Sequence, residues 1–107
     1  MVWYVLKDKK PVKAKSMEEA ARALEKDRRV AYDKLPGDVE VSTVFLVLDL
    51  QFGNGPPLLF ETLVFGGEHN EEMRRYSTWE EAEEGHKEMV KMIRKEELKV
   101  VNGGKND

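Results

Sequence analysis

Acid–base or metal chemistry in this chain would have to come from its carboxylates and from two histidines, His69 and His86, because cysteine is absent. Asp49 and Glu61 fall near facing positions of a hairpin made by two apolar segments. Two carboxylates held together can bind a divalent cation, or divide into a proton donor and a proton acceptor. With His69 and His86 added, the four make a donor set of the kind that holds a hydrolytic metal. Nothing in their spacing enforces that assembly. No HExxH pattern occurs, and the histidines come from a loop and from mid-helix. Each residue also has a plainer role: Asp49 as a cap at the end of a hairpin, Glu61 as the partner of a Lys or Arg, and His86 as a buried histidine with one hydrogen-bond partner.

The segment Gln51 to Pro57 is the most unusual in composition. Gly53 and Gly55 permit close approach of another molecule, and Pro56-Pro57 stiffens the exit. Phe52, Gly53, Asn54, Gly55 and Pro56 are therefore candidate contacts of a rigid recognition loop, or simply a wide hairpin turn. The segment lacks the GxxxxGK[ST] and GxGxxG patterns of phosphate loops. Trp79 is a further candidate contact, or else it closes a sheet–helix core with its indole N–H satisfied near the surface. Lysines 7, 9, 10, 13 and 15 make a local basic run, and Glu80, Glu81, Glu83, Glu84 and Glu88 an acidic one. Both read first as solvated faces. Ser42 and Thr43 lie mid-strand with no GxSxG elbow, which argues against a hydroxyl nucleophile.

The elements that would position these residues are legible from periodicity. Val2 to Leu6 reads as a strand, with Pro11 to Ala14 as an edge return. Ser16-Met17-Glu18-Glu19 is a capping box opening a helix whose inward stripe is Met17, Ala20, Ala21 and Leu24. Arg29 to Leu35 alternates, Pro36-Gly37-Asp38 turns, and Val39 to Leu50 is the strongest strand. Its run Val44 to Leu48 is apolar on both faces, as expected for a covered central strand. Leu58 to Phe65 should pair with it antiparallel, and Arg74 to Ser77 adds a short strand. Thr78-Trp79-Glu80-Glu81 opens a second helix to about Lys95, inward at Trp79, Ala82, His86, Met89, Val90 and Ile93. Gly85 beside His86 marks a close packing contact. Leu98 to Val101 reads as a last strand.

The expected fold is one α+β domain over residues 1–101, an antiparallel sheet of four to five strands carrying two helices, with a flexible tail at 102–107. Helices on one face leave the other open, so double-sided burial of the central strand requires a homodimer or covering loops.

Several phrases carry a resemblance: Val41-Ser42-Thr43-Val44-Phe45-Leu46, Phe52-Gly53-Asn54-Gly55-Pro56-Pro57-Leu58-Leu59-Phe60-Glu61-Thr62, Val64-Phe65-Gly66-Gly67, and Arg75-Tyr76-Ser77-Thr78-Trp79-Glu80-Glu81-Ala82 with Gly85-His86. Over roughly Arg29 to Val90 the chain resembles a family of small uncharacterised proteins encoded by bacteriophages, prophages and some bacteria. The resemblance implies a phage or mobile-element origin. It implies no activity and assigns no site residue.

Composition narrows the function classes. At 107 residues the chain has room for one modest core. A charged fraction of 36% exceeds the roughly 25% of an average soluble protein, and with no cysteine is compatible with a thermophilic source. A net charge of −3 argues against generic nucleic-acid binding. The longest apolar run is a strand's worth and Met1 leads straight into a strand, so neither a membrane span nor a secretory signal is expected, and a cytoplasmic location follows. No cofactor is expected. The sequence favours a non-enzymatic accessory protein that binds another protein. The alternative is a small metal-dependent hydrolase or ligand-binding protein using Asp49, Glu61, His69 and His86.

Overall fold

The structure, a computed structural model, describes residues 2–49, 51 and 53–105. It is an α+β fold of two antiparallel sheets and two helices in the order β1 (Tyr4–Lys7), β2 (Lys10–Lys13), α1 (Met17–Glu25), β3 (Arg29–Leu35), β4 (Val39–Phe45), β5 (Phe60–Phe65), β6 (Met73–Tyr76) and α2 (Trp79–Lys105). β1 and β2 form a separate hairpin, and β3-β4-β5-β6 is a four-stranded meander. β4 and β5 pair antiparallel, with Thr43 opposite Thr62 and Phe45 opposite Phe60.

Strand parity decides which side chains meet α2. Val39, Val41, Thr43 and Phe45 of β4 and Phe60, Thr62 and Val64 of β5 are buried. The intervening Glu40, Ser42, Val44, Glu61, Leu63 and Phe65 point to the other face, as a period of two requires. α2 covers the inner face with Ala82, His86, Met89 and Ile93, all buried. Ala82 packs near Phe45 and Phe60, whereas Met89 and Ile93 pack on Leu35, Val39, Val41 and Val64. The helix therefore runs along the strands from one end of the sheet to the other. The Thr78 capping box forms in full and the Ser16 box only in half. Glu81 N donates to Thr78 Oγ1 and Thr78 N to Glu81 Oε1, each at 3.1 Å. At α1, Glu19 N donates to Ser16 Oγ, while the Glu19 carboxylate accepts from Lys15 N rather than from Ser16.

Four expectations are corrected. β4 ends at Phe45, not Leu50, because Val47 adopts φ 68° and turns the chain toward the first hairpin. There Tyr4 N donates to Val47 O at 2.7 Å and Trp3 bridges Leu48. The apolar run 44–48 thus serves two structures instead of one doubly covered strand, and Leu50 lies outside the described residues. α1 buries Ala20, with Ala23 packed against the core, and leaves Met17 and Leu24 exposed. The docked face is centred between Ala20 and Ala23, so at about 100° per residue Met17 and Leu24 fall at its rim. α2 continues across Leu98–Val101, where a strand is expected, and on through 102–105 of the expected tail. Propagating an existing helix costs less than nucleating a new element. Asn106 and Asp107 lie outside the described residues. Among the described residues no helix is long and apolar enough to cross a membrane.

Candidate functional site

The inward register of β4 and β5 contains two polar residues, Thr43 and Thr62, and the inward stripe of α2 contains one, His86. They meet. Thr43 Oγ1 lies 2.6 Å from Thr62 Oγ1 and 2.7 Å from His86 Nδ1. His86 Nε2 lies 2.8 Å from Asp33 Oδ2 on β3, and Tyr76 Oη on β6 donates to Thr62 Oγ1 at 3.1 Å. With His86 neutral and its proton on Nε2, every donor finds an acceptor in one direction: Tyr76 to Thr62, Thr62 to Thr43, Thr43 to His86, His86 to Asp33. The chain crosses all four strands beneath α2. Both threonines are fully buried and His86 is 3% exposed, whereas the Asp33 side chain is 44% exposed.

Gly85 makes the approach possible. A Cβ there would stand 2.2 Å from Tyr76 Oη, so helix and β6 can close only on a residue without a side chain. The polar chain surfaces at Asp33, in an open groove of about 530 Å³ between β3 and α2. Val90 forms its apolar wall, and Lys87, Lys91, Arg94 and Lys95 stand around it. Among the described residues none of those four cations makes an ion pair.

Thr43, His86 and Asp33 are the functional groups of a hydrolytic triad, but the geometry is not one. The hydroxyl sits under the helix on Nδ1 with no exposed surface, while the carboxylate takes Nε2 at the solvent side. A nucleophile must reach a substrate carbonyl, and this one cannot.

The four candidate metal ligands occupy four separate arrangements. Asp49 Oδ1 accepts from Gln51 N at 2.8 Å and Leu58 N at 3.1 Å, pinning both ends of the loop between β4 and β5. Glu61 does not face it. Strand register sets Glu61 opposite Val44 on the outer face, where Arg75 Nε donates to it at 3.0 Å. His69 holds Glu72 through Nδ1 at 2.5 Å and Glu96 through Nε2 at 2.7 Å, tying the β5–β6 turn to α2. Its pKa is raised above 6.5, first by the bond to Glu96 and then by that to Glu72, since both stabilise the imidazolium. His86 belongs to the buried chain. Among the described residues no group of three His, Asp or Glu side chains is placed to hold a metal ion, and His69 already engages Glu72 and Glu96 with its two ring nitrogens.

The binding candidates divide likewise. Gly53, Asn54, Gly55 and Pro56 are exposed, and Phe52 lies outside the described residues. Trp79 is half-buried, edge-on to Phe60 with centroids 6.2 Å apart, and Lys9 lies over its ring at 5.4 Å. Contrary to expectation its Nε1 is enclosed, with no hydrogen-bond partner among the described residues.

Sequence reading missed Asp33, Thr62 and Tyr76 and set Thr43 aside. The signal was available for the threonines, which are the polar residues in an otherwise apolar inward parity. Asp33 shares the parity of Leu35, but only the docked helix shows what it meets. The chain matches no protein-family model, no curated protein and no solved structure, so the site is argued from its own geometry.

Proposed function

We propose that this is a non-enzymatic accessory protein of phage or mobile-element origin, at work in the cytoplasm, that acts by binding protein through the open face of its sheet, first of all a second copy of itself. The observation that carries the reading is what the outer face presents. Tyr32, Phe65 and Met73 are exposed and Val44 and Leu63 half-exposed, with no element packed over them among the described residues. Leu63 adjoins Met73 across the strands and Phe65 along β5, and an exposed apolar patch of this kind marks an interaction site. Register puts Tyr32, Ser42, Leu63 and Met73 in one row across all four strands.

A second copy fits that face in size and charge. Strands about 4.8 Å apart and up to seven residues long span roughly 19 by 23 Å, about 440 Å² per copy before side-chain relief is counted. Two copies together approach the ~1,000 Å² that a specific interface needs. Arg29, Lys34 and Arg75 alternate there with Glu40 and Glu61, so the face carries both signs and can complement itself. Sedimentation equilibrium tests the reading. The wild type should self-associate, and Leu63→Asp should be monomeric with unchanged circular dichroism. A wild type that stays monomeric at about 1 mM, the limit of weak association, would overturn it.

A further inference from the structure

We propose that the groove between β3 and α2 binds an extended acidic segment of a different protein, which adds to the edge of β3 as a fifth strand. β3 is the terminal strand of the meander and among the described residues pairs only with β4, so its outer edge presents backbone donors and acceptors without a strand partner there. Such an edge is a template for strand addition. α2 runs beside it on the inner face, and the gap between them is the groove that Asp33, His86 and Val90 line.

The spacing suits a strand. Alternate residues of a strand repeat every ~6.6 Å, and Lys87, Lys91 and Lys95, one helical turn apart, repeat every ~6 Å. An added strand would turn every second side chain toward α2, where carboxylates meet these lysines and Arg94. The intervening side chains would join the outer face beside Tyr32 and Lys34.

Charge selects the occupant. The α2 flank contributes four cations, and β3 itself carries Arg29 and Lys34 against Asp33. A second copy offering its own β3 edge would set two cationic edges against each other, which is repulsive. An acidic strand neutralises them. A self-paired β3 edge is therefore disfavoured, and a segment rich in Glu or Asp is favoured. The α2 flank of the site lies across the sheet from the self-association face and the added strand only borders that face at Tyr32, so the proposal goes beyond that reading and survives its failure.

The probe is a fluorescein-labelled heptapeptide, Glu-Val-Glu-Thr-Glu-Val-Glu, titrated with the full chain and followed by fluorescence anisotropy. Binding should weaken at least tenfold with Lys91→Glu plus Arg94→Glu, both exposed residues whose change leaves the helix intact by circular dichroism. It should weaken as much when alternate peptide amides are N-methylated, which removes ladder donors and keeps every charge. Leu63→Asp should leave the affinity unchanged. Binding indifferent to N-methylation would mean charge attraction alone, and no binding at millimolar protein would mean no site. Either result overturns the proposal, as would a wild-type dimer that Val90→Asp dissociates and Leu63→Asp does not.

Discussion

Replacing Thr43 by Val keeps the shape of a β-branched side chain and removes one hydroxyl from the middle of the buried chain. Two groups then lose partners: His86 Nδ1 loses its donor and the Thr62 hydroxyl loses its acceptor. A net hydrogen bond is worth about 0.5–1.5 kcal/mol, and a buried polar group left unpaired costs about 1–3 kcal/mol. Thr43→Val should therefore cost roughly 2–4 kcal/mol. Thr62→Val strands mainly the half-buried Tyr76 hydroxyl, which can turn toward solvent, and should cost about 1–2 kcal/mol. The double variant loses the Thr43–Thr62 bond only once. It should fall about 1 kcal/mol short of the sum of the singles, the coupling expected of neighbours in one network. Urea denaturation followed by circular dichroism measures all three. In a domain this size each 1 kcal/mol also moves Tm by about 4–8 °C. Strict additivity, or a Thr43→Val cost below about 0.5 kcal/mol, would refute the single continuous chain.

Gly85→Ala should destabilise despite a helix propensity that favours Ala by about 1 kcal/mol, because the new Cβ meets the Tyr76 ring at 2.2–2.3 Å. Thermal melts should show a lowered Tm, recovered in part by pairing the change with Tyr76→Ala. His69 has a folded pKa above its ordinary 6.5, so its contribution to stability is full below pH 6.5 and is lost as pH rises through the folded value. Urea midpoints compared at about pH 5 and pH 9 should show that loss in the wild type and a smaller one in Glu96→Gln, which removes the largest cause of the shift. Asp49→Ala strips the acceptor from Gln51 N and Leu58 N and should cost about 1–3 kcal/mol. Hydrogen exchange at the Leu58 amide should accelerate with it, while that in α2 should change only with global stability.

The elements were legible where the signal is local. The Ser16 and Thr78 boxes mark both helix starts, and the apolar stretches 39–50 and 58–65 contain the paired strands 39–45 and 60–65. The glycine-rich break between them separates those strands in the structure as expected. What failed was decided by distant neighbours. β4 stops at Phe45 because the first hairpin captures Val47 and Leu48, and nothing within 39–50 announces that competition. The stripe expected of α1 held only at Ala20, because docking centres the buried face between Ala20 and Ala23 and leaves Met17, Ala21 and Leu24 to solvent. Asp49 and Glu61 were set near one another on a register that runs too far. Pairing Phe45 with Phe60 leaves Asp49 beyond the strand end and turns Glu61 outward.

Periods of two and 3.6 residues are written in adjacent side chains, so the sequence by itself determined an α+β chain, its antiparallel hairpin and the inward stripe of α2. Only the tertiary structure decided which buried groups meet. His86 and Asp33 are 53 positions apart and bond because α2 docks along the strands in one particular registry. That registry is set by the summed packing of Ala82, Met89 and Ile93 against the sheet and by the absence of a side chain at Gly85. A contact settled by so many distant surfaces leaves no mark in either local pattern.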